Sequence, residues 1–231
     1  EFRRVLFRSD SLGARPARVR RVGVAGRGLM SHDFFSAMSA ALPTVVWQDV
    51  ETDMCHLRSQ KSPAEQAVIR HAYAIAWEGF AAAVAAIAPG VTERRVAAEA
   101  EAAMRRAGAE GTGIDTIVAS GPNARPILAR STWRTIAKDD MVLLTLAPRY
   151  EGYHAAIGRP VLVGNPDPRV ERAQAVAVEA QEACHAALRP GVEGREVEAI
   201  GRRIVERAGL GDLFLYSGVH SVGVIEFEPD R

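Results

Sequence analysis

The sequence predicts an α+β protein whose larger part is a duplicated helix, helix, strand unit, preceded by a small α/β piece. Three observations predict it. A complete helix-start signal at Ser62-Pro63-Ala64-Glu65 opens a segment with apolar residues at steps of three and four. Pro89 to Gly108 matches Pro190 to Gly209 at a constant offset of 101, with nine identities in 20 positions, which is the signature of an internal repeat. Between the two copies, Met141–Ala147 and Gly152–Val163 read as strands, so a hairpin is expected at the centre of the domain.

Residues 1–9 (EFRRVLFRS) show neither helical nor strand periodicity and resemble a translated sequencing adapter, so they are expected to be a non-native segment outside the fold. Arg21–Ala25 then reads as a strand, Ser31–Leu42 as a helix ended by Pro43, and Thr44–Val50 as a second strand. Gly26-x-Gly28, with Asp49 downstream, is a partial dinucleotide fingerprint, but its third glycine position is Ser31. A plain strand-to-helix turn is the preferred reading.

From Ser62 the helix runs to Pro89-Gly90, with Ile69, Tyr73, Ala76, Phe80, Val84 and Ile87 on one stripe expected to be buried. Ala72, Ala76 and Ala82 to Ala86 are small enough for a neighbour to approach closely. Each copy of the repeat has a long helix before it (62–88, 168–189), a shorter one within it (92–107, 193–208) and a strand-like run after it (Asp115–Ala119, Leu213–His220). A site is expected where the two halves face one another. The central hairpin is expected to turn at Pro148–Glu151. Glu226–Arg231 follows a strand-like segment directly, so a fragment lacking its C-terminus is expected.

Composition narrows the function classes. Of 231 residues, 48% are hydrophobic and 25% charged, as in soluble globular proteins. The longest uncharged run, Gly79–Thr92, contains Pro89-Gly90, whereas a bilayer-spanning helix needs roughly 20 apolar residues, so no membrane partner is expected. With 29 basic and 28 acidic residues there is no global field to attract nucleic acid. The two cysteines, Cys55 and Cys184, cannot build a disulfide framework or a metal knuckle, which points to a reducing compartment and hence the cytoplasm.

Four strings carry a family resemblance: Lys61-Ser62-Pro63-Ala64-Glu65, Ala88-Pro89-Gly90-Val91-Thr92-Glu93, Asp115-Thr116-Ile117-Val118-Ala119-Ser120-Gly121-Pro122-Asn123 and Arg149-Tyr150-Glu151-Gly152-Tyr153. They resemble the Xaa-Pro aminopeptidase/creatinase family, which shares the pita-bread fold with methionine aminopeptidase. The resemblance implies a pita-bread domain of pseudo-two-fold halves over 61–231, incomplete at its C-terminus, with 10–60 as the remnant of an N-terminal domain. In the family's metallopeptidases two divalent ions, Mn, Co or Zn, are held by two aspartates, a histidine and two glutamates, and a bridging water attacks the amide. Alignment through Arg149-Tyr150 and Gly152-Tyr153 places the two aspartates at Thr145 and Ala156. His220, within Gly218-Val219-His220-Ser221-Val222-Gly223, matches the histidine ligand, and the glutamates would fall beyond Arg231. Two histidines that assist catalysis align with Leu128 and Phe227.

The resemblance therefore implies a branch that has lost its metal site, with no cofactor. Val219-His220-Ser221-Val222-Gly223-Val224 is similar to the corresponding segment of creatinase, which works without metal, although Leu128 stands where creatinase has its proton-shuttling histidine. His154 lies two residues before Ala156, so strand alternation would place both on one face. A merely exposed or hydrogen-bonded histidine is the competing reading. Three functions follow in order: a metal-independent hydrolase or binder of a small peptide-like, amide or guanidino compound, with a pocket of His220, His154, Tyr153, Thr145, Ala156, Arg159 and Leu128; a non-catalytic pseudo-peptidase acting in protein association; and a metal-dependent Xaa-Pro peptidase with atypical ligands. A homodimer is expected for the full-length protein.

Overall fold

A computed structural model describes residues 20–126, 128–215 and 218–225. The chain divides between Gln60 and Lys61 into two compact units. In the first, β1 (Arg21–Val24) runs parallel to β2 (Val46–Asp49), with Arg21 opposite Val46. The connecting helix α1 (His32–Ala41) is capped by Ser31, whose hydroxyl accepts the Phe34 N–H at 3.2 Å, and Phe35 meets the Trp47 ring edge-on at 5.9 Å. A second helix, α2 (Glu51–Ser59), was not expected from the sequence. Its acidic first turn (Glu51, Asp53) and basic last turn (His56, Arg58) complement the helix dipole. The Gly26 N–H donates to the Glu51 carboxylate. The amide that a bound phosphate would use is thus occupied by the chain's own anion, which fits the plain-turn reading of Gly26-x-Gly28.

The second unit begins with α3 (Pro63–Ala86), which opens on a full capping box: Ser62 Oγ accepts the Glu65 N–H and Glu65 accepts the Ser62 N–H. The residues buried along α3 are Ala72, Ile75, Ala76, Gly79 and Ala83, whereas Val84 is 40% exposed. The buried stripe is therefore rotated from the expected one toward the small residues. The reason is proximity: a Cβ at Gly79 would run into the Met104 side chain of α4 (Glu93–Arg106) and lie 3.2 Å from Leu146. Bulky Phe80 and Ile87 flank this contact instead of filling it.

Two three-stranded sheets follow. In one, β4 (Ile117–Ser120), β5 (Met141–Leu146) and β8 (Ile157–Leu162) are antiparallel in the order β4–β5–β8. In the other, β3 (Gly111–Thr112), β6 (Pro148–Tyr150) and β7 (Tyr153–His154) lie in the order β3–β6–β7. The expected turn at Pro148–Glu151 is corrected, because Pro148–Tyr150 is strand and the turn is Glu151–Gly152 alone, with φ of 47° and 79°. Two consecutive residues at positive φ between the paired Tyr150 and Tyr153 are what a two-residue type I′ hairpin requires. Leu146 faces Ile157 and Arg149 faces His154, so one register runs through both halves of the hairpin. On one face of β5, Val142, Leu144 and Leu146 are fully buried with Val118, Ile75, Val96 and Met104, forming the main core.

The repeat is visible in the backbone. Gly90 and Gly191 have φ of 90° and 85°, and Gly108 and Gly209 have φ of 106° and 75°. Each pair supplies the left-handed residue that ends one helix or starts the next. The bond from Ala109 N–H to Met104 O at 3.0 Å recurs as Leu210 N–H to Val205 O at 3.0 Å. In the second helix pair, α5 (Pro168–Ala187) and α6 (Gly194–Arg207), the small residue of the crossing is Gly201, whose Cβ would lie 2.9 Å from Cys184 Sγ. The third member of the second copy departs from expectation. Leu213–His220 is not a strand among the described residues. Gly211–Leu213 forms a 3-10 turn, closed by the Phe214 N–H on Gly211 O at 3.0 Å, so these backbone groups bond locally instead of to a neighbouring strand. Among the described residues no helix is long and apolar enough to cross a membrane.

Candidate functional site

The face of β5 turned away from the main core is the one that bears Thr145. Thr145 lies opposite Gly158 on β8 and opposite Ile117 on β4. Because side chains alternate, Ala156 shares the face of Gly158 and is the diagonal cross-strand neighbour of Thr145. The structure thus brings these two positions together. Arg159 pairs with Leu144, which places it on the opposite face, where its Nη1 donates to Gly158 O at 2.7 Å.

His154 ends β7 and is 6% exposed. Its N–H donates to Gly223 O at 2.8 Å and its Nδ1 lies 3.3 Å from the same carbonyl. Ala155 and Ile157 enter a buried cluster with Ala72 and Ala76, which leaves His154 and Ala156 to the other side of the extended chain. The segment that carries His220 is therefore tied to the end of β7. The His220 ring is half-buried, with Nδ1 3.1 Å from Ser221 O. Tyr153 donates its hydroxyl to Glu65 Oε1 at 2.7 Å, anchoring the hairpin tip on α3. Leu128 is 73% exposed. Phe227 lies outside the described residues.

A pair of hard divalent ions needs anionic oxygen. The diagonal pair on this face offers one hydroxyl, from Thr145, and one methyl, from Ala156. Among the described residues no cluster of three or more His, Cys, Asp or Glu side chains is arranged to hold an ion. The side chains described on the hairpin do not fit a dinuclear centre. What the pair presents is a hydroxyl and a methyl, with His154 two residues before Ala156 on the same side of the chain.

Sequence reasoning missed a buried polar network on the other side of the same sheet, where Ser120 pairs with Val142. Glu93, the first residue of α4, is fully buried. Its Oε1 accepts the Ser120 N–H and Oγ–H, both at 2.7 Å. Its Oε2 accepts Asn123 Nδ2 at 2.8 Å, Thr132 N–H at 2.9 Å and Thr132 Oγ1 at 2.6 Å. Burial pushes its carboxyl pKa up, but the hydrogen bonds from Thr132 and Ser120 overcome that and hold it below the ordinary glutamate value. Arg134 extends the network, donating to Ser120 Oγ and pairing with Asp140 at 2.6 Å. Gly121, at φ 49°, has no room for a side chain because a Cβ would lie 2.5 Å from Asp140. The signal was present in two strings, Thr92-Glu93 and Ser120-Gly121-Pro122-Asn123, that meet at one carboxylate.

Comparison with known proteins places this geometry. Residues 67–230 match the family described as metallopeptidase family M24. The chain is 34% identical over 168 residues to a Xaa-Pro dipeptidase of Pyrococcus furiosus, covering 73% of this chain and 48% of that one. It is 33% identical over 183 residues to a Xaa-Pro dipeptidase of Pyrococcus horikoshii, covering 79% and 51%. Among solved structures, the prolidase from Pyrococcus furiosus superposes with a TM-score of 0.88 at 29% identity, over 96% of this chain and 65% of that one. The X-Pro aminopeptidase from Thermotoga maritima superposes with a TM-score of 0.85 at 26% identity, over 100% and 64%. The chain spans about half the length of the curated relatives it matches.

Proposed function

Because the chain belongs to metallopeptidase family M24, we propose that the protein is a hydrolase of the Xaa-Pro peptidase class, acting on the amide bond of a dipeptide-like substrate. The observations that support this reading are the family match over residues 67–230, which takes in the hairpin and the His220 segment, and the likeness to proteins named Xaa-Pro dipeptidase. It reverses the order in which the sequence ranked the functions. The metal-independent amide or guanidino hydrolase gives way to the peptidase.

On the Thr145 face the chain's own groups bind and orient. The Thr145 hydroxyl is placed to donate to a carbonyl oxygen. If His220 Nδ1 carries its proton toward Ser221 O, Nε2 is the nitrogen that accepts a proton. No step is routed through a metal, since Thr145 and Ala156 supply no anionic oxygen.

That same donor set favours the second reading, binding or hydrolysis of a small amide without metal. Full-length protein, stripped with a chelator and assayed on Xaa-Pro dipeptides with and without Mn, Co or Zn, separates the two. Release of proline is the expected result. No proline release under any ion, together with turnover of a guanidino compound such as creatine, overturns the peptidase reading.

A further inference from the structure

The buried Glu93 carboxylate takes no part in the chemistry above, yet it gathers five donors from three residues in two stretches of chain, 120–123 and Thr132. Those stretches lead from the core side of the sheet, where Ser120 pairs with Val142, to the Thr145 side. Ser120 ends β4, whose Ile117 lies directly opposite Thr145. Asn123 sits in the turn that follows, and its amide also donates to Arg130 O at 3.0 Å. Thr132 follows Ser131, whose hydroxyl accepts the Val118 N–H at 2.9 Å and donates to Thr116 O at 3.0 Å. Between them Ala129 is buried against Ile117 and Ala119, on the same side of the sheet as Thr145.

We propose that Glu93 is a positioning residue, which clamps the 128–132 stretch over Ile117 and so sets how open the Thr145 face is to a ligand. The proposal rests on reading that face as the substrate-binding face. A glutamine at position 93 cannot replace the carboxylate. One of its terminal atoms would be an NH2 group pointed at donors, and two or three of the five bonds would be lost. Arg134 and Asp140 are the charged groups that face the network, and their own ion pair does not substitute for the missing acceptor.

The test uses thiol labelling in the full-length protein. Cys55→Ser and Thr145→Cys place one reporter on the face, and native Cys184 on α5 serves as the reference. Adding Glu93→Gln is expected to raise the rate of maleimide labelling at position 145, relative to Cys184, by about tenfold or more, since two or three buried hydrogen bonds are lost. Asn123→Ala removes one of the five donors to Glu93 and the bond to Arg130 O but leaves the carboxylate and its four other donors in place, so a smaller rise in the same ratio is expected. An unchanged ratio in Glu93→Gln, or an equal rise at both thiols, overturns the clamp. If Glu93→Gln does not fold, the Asn123→Ala ratio decides alone, and no rise overturns it. Ala-Pro at millimolar concentration should slow labelling at position 145 in the parent with native Glu93. Failure of that protection counts against the substrate reading, while the labelling ratio still decides the clamp.

Discussion

The Tyr153 hydroxyl donates to Glu65 Oε1 at 2.7 Å, joining the hairpin tip to the first turn of α3 across 88 residues of sequence. The Ser62 N–H donates to the other oxygen of the same carboxylate at 2.7 Å. One side chain thus caps the helix and holds the hairpin. The hydrogen bonds from the Ser62 backbone and side chain, then that from Tyr153, lower the Glu65 pKa from 4.5 to about 2. With the folded value depressed, the stability that this group lends is complete above pH 4.5 and lost as the pH falls toward about 2. Tyr153→Phe removes one donor, which raises the folded pKa and narrows that window. The acid-unfolding midpoint, followed by circular dichroism, is therefore expected to move to higher pH in Tyr153→Phe. An identical midpoint in the two proteins would show that the bond does not act on Glu65.

Around Glu93 the contributions should couple. Asn123→Ala deletes the amide that donates both to Glu93 and to Arg130 O, and is expected to cost about 2 kcal/mol in urea unfolding. Ser120→Ala is expected to cost about 2 kcal/mol, because the hydroxyl both donates to Glu93 and accepts from Arg134. The double variant should lose less than the sum, since both side chains serve one carboxylate. Strict additivity would mean that the bonds act independently.

The two helix crossings allow a matched pair of substitutions. Gly79→Ala gains up to about 1 kcal/mol of helix propensity, but overpacking against Met104 costs about 1–3 kcal/mol, so a net loss is expected. Gly201→Ala meets Cys184 Sγ at 2.9 Å instead. Adding Cys184→Ala removes that clash, so the Gly201→Ala, Cys184→Ala protein should melt above Gly201→Ala alone. Melting at or below it would place the strain elsewhere.

What could be read from the sequence was what a residue demands locally. Gly90, Gly108, Gly191 and Gly209 need positive φ, and Val96 and Val197 need burial, so the repeat showed itself without a partner structure. The placing of Thr145 and Ala156 came from the family resemblance alone; the turn expected at Pro148–Glu151 gives another register, and it is the two-residue turn at Glu151–Gly152 that makes them diagonal neighbours. Pro148 misled because proline marks turns. Here it is the first residue of β6, where a missing N–H is tolerated, and its carbonyl accepts the Ala155 N–H at 3.1 Å. Leu213–His220 opens on a run of large apolar residues that suits a strand, but among its described residues the Phe214 N–H bonds back to Gly211 O instead of to a neighbour. Glu93 was invisible for a third reason: an acidic residue in the first turn of a helix looks like an ordinary dipole complement, and its donors lie 27 to 39 residues away.

The diagonal placement of Thr145 and Ala156 also makes the donor deficit reversible. Residues on one face at that spacing can direct two carboxylates toward one volume, with the His220 segment held nearby by the bond from the His154 N–H to Gly223 O. Thr145→Asp with Ala156→Asp in the full-length protein is therefore expected to tighten Mn2+ binding by about tenfold or more in calorimetry, since hard cations gain most from anionic oxygen. Either substitution alone should do much less, because a single carboxylate leaves the ion largely solvated. Calorimetry on the unmodified protein supplies the reference. If it binds two Mn2+ ions as tightly as the double variant, ligands other than the hairpin pair hold them, and the electrostatic account of this face fails.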